Sequence, residues 1–238
     1  MWIPTLYFVE GIPYFLVNNV SVLMFAKMGV PNGQMALFTS LLYLPWTLKF
    51  LWSPFVDIIK TKRWWIITMQ IIMSIAFVVQ ALTMPHPSAE SIAAGSTPMS
   101  LFSFTLILFV FAAFASATHD IAADGFYMLA QSQSSQAAFV GVRSTFYRLA
   151  NVFGNGVIVA VAGLLETRTG NIPLAWQLTI GGSGILLTGL TLYHTFAIPK
   201  PESDVPNIQE DSGNKVAEIF EGFGRTVTTY FKKPGVWL

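Results

Sequence analysis

Six apolar spans, each about as long as a bilayer's hydrocarbon core is thick, fill most of this chain and limit what it can fold into. They lie at roughly 2–26, 35–57, 64–84, 99–119, 139–165 and 173–198. A helix rises ~1.5 Å per residue, so about 20 apolar residues cross ~30 Å of hydrocarbon. Lipid offers no partner to an open backbone N–H or C=O, and a helix satisfies both within its own segment. The spans therefore predict an all-α integral membrane protein, a six-transmembrane-helix bundle over 1–198. Composition agrees: 11% of residues are charged, against about 25% in soluble domains. Turn-forming stretches such as "KMGVPNGQ", "DIIKTKR" and "ETRTGNIP" punctuate the spans, and the connection between spans four and five is expected at 120–138.

Loop charges set the orientation. Lys60, Lys62, Arg63, Arg143, Arg148, Lys200, Lys215, Arg225, Lys232 and Lys233 fall on one side, and Lys27 and Arg168 on the other. The positive-inside rule then puts both termini in the cytoplasm, with the chain in the cytoplasmic (inner) membrane. The first span has no basic leader and is too long for a cleaved signal, so it is expected to stay. Residues 199–233 read as a cytoplasmic linker with an amphipathic helix marked by Val216, Ile219, Phe220, Phe223, Val227 and Tyr230. Residues 234–238, "GVWL" among them, read as the start of a truncated seventh crossing. The chain thus reads as half of a larger unit.

Several functional classes drop out. A net charge of +1 with no basic stripe does not point to nucleic acid as a partner. No cysteine is present, which removes disulfides, thiolate chemistry and cysteine-ligated zinc. There is no H-E-x-x-H spacing, no phosphate-cradling Gly loop and no nucleophile-plus-base arrangement, so the chain does not read as an enzyme, and no cofactor or metal is expected. What remains is a transporter or a non-transporting receptor or assembly subunit.

Polar residues within the spans separate those two. In "YLPWTLKFLWSP", Lys49 stands inside span two, where an ammonium costs about 2.5–3.5 kcal/mol on insertion scales. Glu10 in span one lies ~12 Å from the cytoplasmic end, and Lys49 lies at the same depth counted from Asp57. A Glu10–Lys49 contact, direct or through water, would keep both in the membrane; alternatively Lys49 snorkels along its own stem and Glu10 stays protonated and inert. With the contact, Glu10 is the candidate proton-coupling residue. Asp57, Asp120, Asp124, Arg143 and Arg148, beside His119, gather near the cytoplasmic helix ends as a candidate gate, or as plain interfacial anchors; Arg148 lies deepest and is expected to pair with Asp120. Asn18, Lys49, Asn151 and Asn155 are the candidate solute-binding residues. Gly154, Gly156 and Gly163 permit close helix packing. Pro4, Pro13, Pro45 and Pro54 predict kinks. His86 and His194 are lone histidines with no role expected.

The strings "LKFLWSPFVD" at 48–57, "KTKRWWIITMQ" at 60–70, "ATHDIAADGFYML" at 117–129 and "YRLAN" at 147–151 resemble the N-terminal half of the AmpG-like muropeptide permeases of the major facilitator superfamily, a group that also holds acetyl-CoA transporters. The resemblance covers nearly all of 5–198. It implies the N-terminal half of a major facilitator superfamily fold: six of twelve helices, with Lys49, Asp57, Asp120, Asp124 and Arg148 at motif positions. It also implies import of a small-molecule solute, a muropeptide or related sugar-peptide, by proton symport. A different solute (acyl-CoA, sugar or peptide) is the alternative. The partners implied are the solute, protons, membrane lipid, and a C-terminal half or a second copy. Two departures stand out: no Gly precedes Asp57 in the loop after span two, and His119 replaces an uncharged residue.

Overall fold

Proline opens the first helix and then disturbs it. Pro4 occupies the first turn of α1 (Ile3–Lys27), where its missing N–H leaves no bond unmade. Pro13 lies inside α1 and takes a donor away from the turn before it; the helix then passes through a π turn at Leu16–Val20. The computed structural model describes residues 2–206, together with 221, 223–225, 228, 229 and 232. Among these, every regular element is helical.

Span two is not one helix. It is divided into α2 (Asn32–Leu42), α3 (Leu44–Leu48) and α4 (Ser53–Ile58), with a 3-10 turn at Lys49–Leu51. Pro45 and Pro54 fall in the first turns of α3 and α4, so each restarts a helix rather than kinking a continuous one. α5 (Lys62–Leu82) starts behind Thr61, whose hydroxyl accepts from the Trp64 N–H at 3.1 Å. After the short α6 (Ala89–Ala93), a 3-10 turn at Met99–Phe102 leads into α7 (Ser103–Ala130). α8 (Gln133–Thr169) has its own π turn at Phe153–Ile158 and stops at Gly170, where φ of 64° suits a residue without Cβ. α9 (Ile172–Ala197) begins behind Asn171, which accepts from the Leu174 N–H at 3.0 Å.

One sequence expectation is overturned. The connection expected at 120–138 shrinks to Gln131 and Ser132, because α7 continues through Asp120 and Asp124 to Ala130. Those two aspartates have partners on neighbouring helices, so they lie along a helix instead of ending it.

Among the described residues, four helices are long and apolar enough to cross a membrane: Ile3–Lys27, Lys62–Leu82, Met99–Ala130 and Gln133–Thr169. α9 has the length, 26 residues or ~39 Å, but Gly181, Gly182, Gly184, Gly189 and its threonines lower its mean hydropathy. Span two fails because its helices are short. α5 packs between α7 and α9, and α1 packs against α8 and α7. The α1–α8 crossing is close: a Cβ on Gly11 would come within 2.6 Å of the Ala150 Cβ, and one on Gly154 within 2.8 Å of the Phe15 Cβ. Gly156 and Gly163, grouped with Gly154 by sequence, face open space. Large apolar side chains such as Phe50, Ile75, Leu82, Phe111, Val152, Ile185 and Phe196 are exposed, a distribution suited to hydrocarbon.

At the basic end, the chain leaving α9 returns to α5. Asp204 accepts from the Lys62 N–H at 2.7 Å and the Arg63 N–H at 2.9 Å, and the Arg63 Nε donates to the Ile198 carbonyl at 3.2 Å. The amphipathic pattern at Val216, Ile219, Phe220, Val227 and Tyr230 and the apolar 234–238 lie outside the described residues.

Candidate functional site

Lys49 sits in the break of span two. Leu48 (φ −95°, ψ 0°) leaves the helical region before it, and the 3-10 turn ends at Trp52, whose N–H bonds the Lys49 carbonyl at 3.3 Å. The Trp52 indole N–H donates to the Thr118 hydroxyl at 3.1 Å, pinning the break against α7. The Lys49 ammonium forms an ion pair with Asp120 of α7, its side chain 36% exposed and that of Asp120 16%. The expected Glu10–Lys49 contact is not made: Lys49 pairs with Asp120, and Glu10 lies beside Asp120. Rise along the helix does not contain rotation about its axis, so it could not tell which acid would meet the lysine. Glu10 is buried, and its Oε2 has no hydrogen-bond partner. Glu10, Asp120 and Lys49 thus form a trio of two acids and one lysine.

The other acids are also committed. Asp124 forms an ion pair with Arg143 and accepts from the Tyr7 hydroxyl at 3.1 Å. The Arg143 guanidinium lies 4.3 Å from the ring centroids of both Tyr7 and Tyr127, a cation held between two aromatic faces. Asp57 forms an ion pair with Lys62 across the short turn between α4 and α5. Arg148 does not meet Asp120, whose charge is taken by Lys49, and it forms no ion pair among the described residues.

Arg148 instead lines a cavity of about 500 Å³ between α1 and α8, with Tyr7, Glu10, Val140, Arg143, Ser144 and Tyr147. That volume lies in the range of small-molecule sites. Two guanidinium groups and one carboxyl converge there. Sequence reading found Glu10, Arg143 and Arg148 but missed Tyr7, Ser144 and Tyr147. Their spacing was the available signal: 143, 144, 147 and 148 fall on one helix face, as do 7 and 10.

Two amide-bearing networks flank this cavity. In one, His119 Nε2 and His194 Nδ1 contact the two ends of the Gln70 amide at 2.9 and 3.0 Å, and His194 Nε2 meets the Thr5 hydroxyl at 3.0 Å. His194, expected to do nothing, is a buried tie between α1, α5 and α9. In the other, Asn19 Nδ2 donates to Asn155 Oδ1 at 3.0 Å, and Asn155 Nδ2 donates to Asn151 Oδ1 at 2.8 Å. Asn18 Nδ2 donates to the Tyr14 carbonyl of its own helix, so Asn19, not Asn18, reaches across to α8.

Comparison with known proteins places this arrangement. Residues 2–154 match the family described as Acetyl-coenzyme A transporter 1. The chain belongs to this family of membrane transporters. The uncharacterized protein C21B10.09 of Schizosaccharomyces pombe is 30% identical over 152 residues, which are 60% of this chain and 28% of that protein. The chain thus spans little more than a quarter of that relative's length. No solved structure matches.

The segment shared with the acetyl-coenzyme A transporter family takes in Tyr7, Glu10, Lys49, Asp57, Asp120, Asp124, Arg143 and Arg148, and it ends at Gly154. Every side chain of the cavity and of the carboxyl–lysine trio falls within it. The cavity within this segment presents two guanidinium groups, Arg143 and Arg148.

Proposed function

We propose that this chain is the N-terminal, six-crossing half of a major-facilitator-type secondary transporter that moves an anionic, acyl-coenzyme A-like solute together with protons. The observation that carries the reading is the cavity in which Arg148, without an acidic partner among the described residues, lies with Glu10 and Arg143. A guanidinium presents paired N–H donors that match phosphate or carboxylate oxygens, and Arg148 has these donors free of any ion pair among the described residues. The family match points the same way, to a coenzyme A thioester with its phosphates.

In this reading the solute's anionic end is bound by Arg148 and draws Arg143 from Asp124. Loss of the Arg143–Asp124 pair, with Asp57–Lys62 at the same end, opens the cytoplasmic gate. Glu10 and Asp120 share the coupling proton. When it leaves, the extra negative charge pulls on Lys49 and shifts the broken segment of span two against α7. Span two and α9 complete six crossings, and the basic loops orient both ends of the bundle to the cytoplasm. A C-terminal half, which a major-facilitator transporter needs to enclose its midplane site, would close the cavity from the other side.

The quoted motifs at 48–57 and 117–129 also resemble muropeptide permeases, so a sugar-peptide is the second solute to be tested. Counterflow in proteoliposomes carrying the full-length protein separates the two. Exchange of labelled acetyl-coenzyme A, lost in Arg148→Gln, is the expected result. Exchange of an anhydromuropeptide alone would move the solute to the sugar-peptide class, and exchange of neither would contradict both.

A further inference from the structure

The two π turns, Leu16–Val20 in α1 and Phe153–Ile158 in α8, face each other. A π turn widens the helix by one residue, and such turns occur often at functional positions. Here they carry the two ends of one bond, Asn19 Nδ2 to Asn155 Oδ1, which continues to Asn151. All three asparagines are exposed. Three amides facing lipid would be costly, and packing does not require them: the close contact between these helices is made by Gly11, Gly154, Ala150 and Phe15.

The ladder lies on the same face of α8 as the arginine and serine that line the cavity. Ser144, Arg148, Asn151 and Asn155 recur at i, i+4, i+7 and i+11, one face of α8, and all four are exposed. Arg148 and Asn155 are seven residues apart, ~10 Å along the axis. Within the ladder each bond uses one donor and one acceptor, so a free acceptor remains at Asn19 Oδ1 and a free donor at Asn151 Nδ2. If all three amides are flipped the two ends exchange roles, and the ladder still ends in an amide NH2 on one helix and a carbonyl oxygen on the other.

We infer that the Asn19–Asn155–Asn151 ladder is a second subsite, which binds an amide-bearing neutral arm of a solute whose anionic end sits at Arg148. The inference rests on the anionic-solute transport reading above and adds to it the solute's shape: two-ended, with its hydrogen-bonding arm reaching ~10 Å from its charge. Both an acyl-coenzyme A and a sugar-peptide carry amides, and the test separates them.

The test is equilibrium binding to the purified full-length protein of two probes, acetyl-coenzyme A and adenosine 3′,5′-bisphosphate, which keeps phosphate charge but has no amide arm. Asn151→Ala and Asn155→Ala are each expected to weaken acetyl-coenzyme A about tenfold and to leave the bisphosphate unchanged. Arg148→Gln should weaken both. Asn19→Ala, on the other helix, guards against a folding defect confined to α8 and should repeat the asparagine pattern. Asparagine variants that leave acetyl-coenzyme A binding intact, or weaken both probes equally, overturn the subsite. If the wild type binds neither probe, the acyl-coenzyme A reading falls, and the same variants are scored on an anhydromuropeptide. Unchanged affinity there, or no binding by the wild type, overturns the subsite as well.

Discussion

Lys49, in the 3-10 break of span two, forms an ion pair with Asp120, the residue after His119 in the middle of α7. Both belong to an apolar surrounding, and each is what makes the other tolerable there. Lys49→Met leaves Asp120 and Glu10 as adjoining acids without a cation, and should lower stability by about 1–3 kcal/mol. Lys49→Met with Asp120→Asn should recover most of that loss. Thermal unfolding in detergent reads both, and purely additive losses would mean that the pair is not coupled.

The crossing of α1 and α8 leaves no room at Gly154. A methyl there would come within 2.8 Å of the Phe15 Cβ, which belongs to the backbone's immediate neighbourhood and cannot swing away. Gly154→Ala is expected to cost about 1–3 kcal/mol by overpacking. Gly156→Ala, facing open space, should be near neutral. Equal losses at the two positions would contradict the crossing.

Asp204 acts as a helix cap supplied from 142 residues away in sequence, accepting two N–H groups of the first turn of α5. Asp204→Ala should destabilise by about 0.5–2 kcal/mol and raise amide exchange at Lys62 and Arg63. Protection there unchanged in the variant would show that the chain beyond α9 does not hold α5.

Arg143 is held by charge on one side and by two aromatic faces on the other. Arg143→Lys keeps the charge but loses the planar stacking, so transport should fall several-fold even though the ion pair with Asp124 can re-form. Full activity in Arg143→Lys would mean that charge alone is needed.

Hydropathy made the spans legible because lipid penalises every polar backbone and side chain alike. It misplaced the end of the fourth, since Asp120 and Asp124 look like loop residues until Lys49 and Arg143 arrive from other helices. The prolines of span two were read as kinks, and their first-turn positions in new helices follow from where the chain breaks at Lys49. Depth counting put Glu10 and Lys49 level, yet pairing depends on rotation about each helix axis, which a rise per residue does not contain. The same limit explains Asn18 and Asn19: one residue turns the side chain by ~100°, so one amide binds its own backbone and the next reaches α8. The His119–Gln70–His194 tie was invisible because Gln70 and His194 lie 124 residues apart and no local pattern joins them.

Coupling of a proton on Glu10 to solute movement is read most directly by uptake into proteoliposomes of the full-length Glu10→Gln protein under an imposed pH gradient. Gradient-driven accumulation is expected to be abolished while solute exchange at equal pH persists, because the introduced amide keeps the side chain's shape but cannot release a proton. Gradient-driven accumulation at the wild-type level would contradict the coupling.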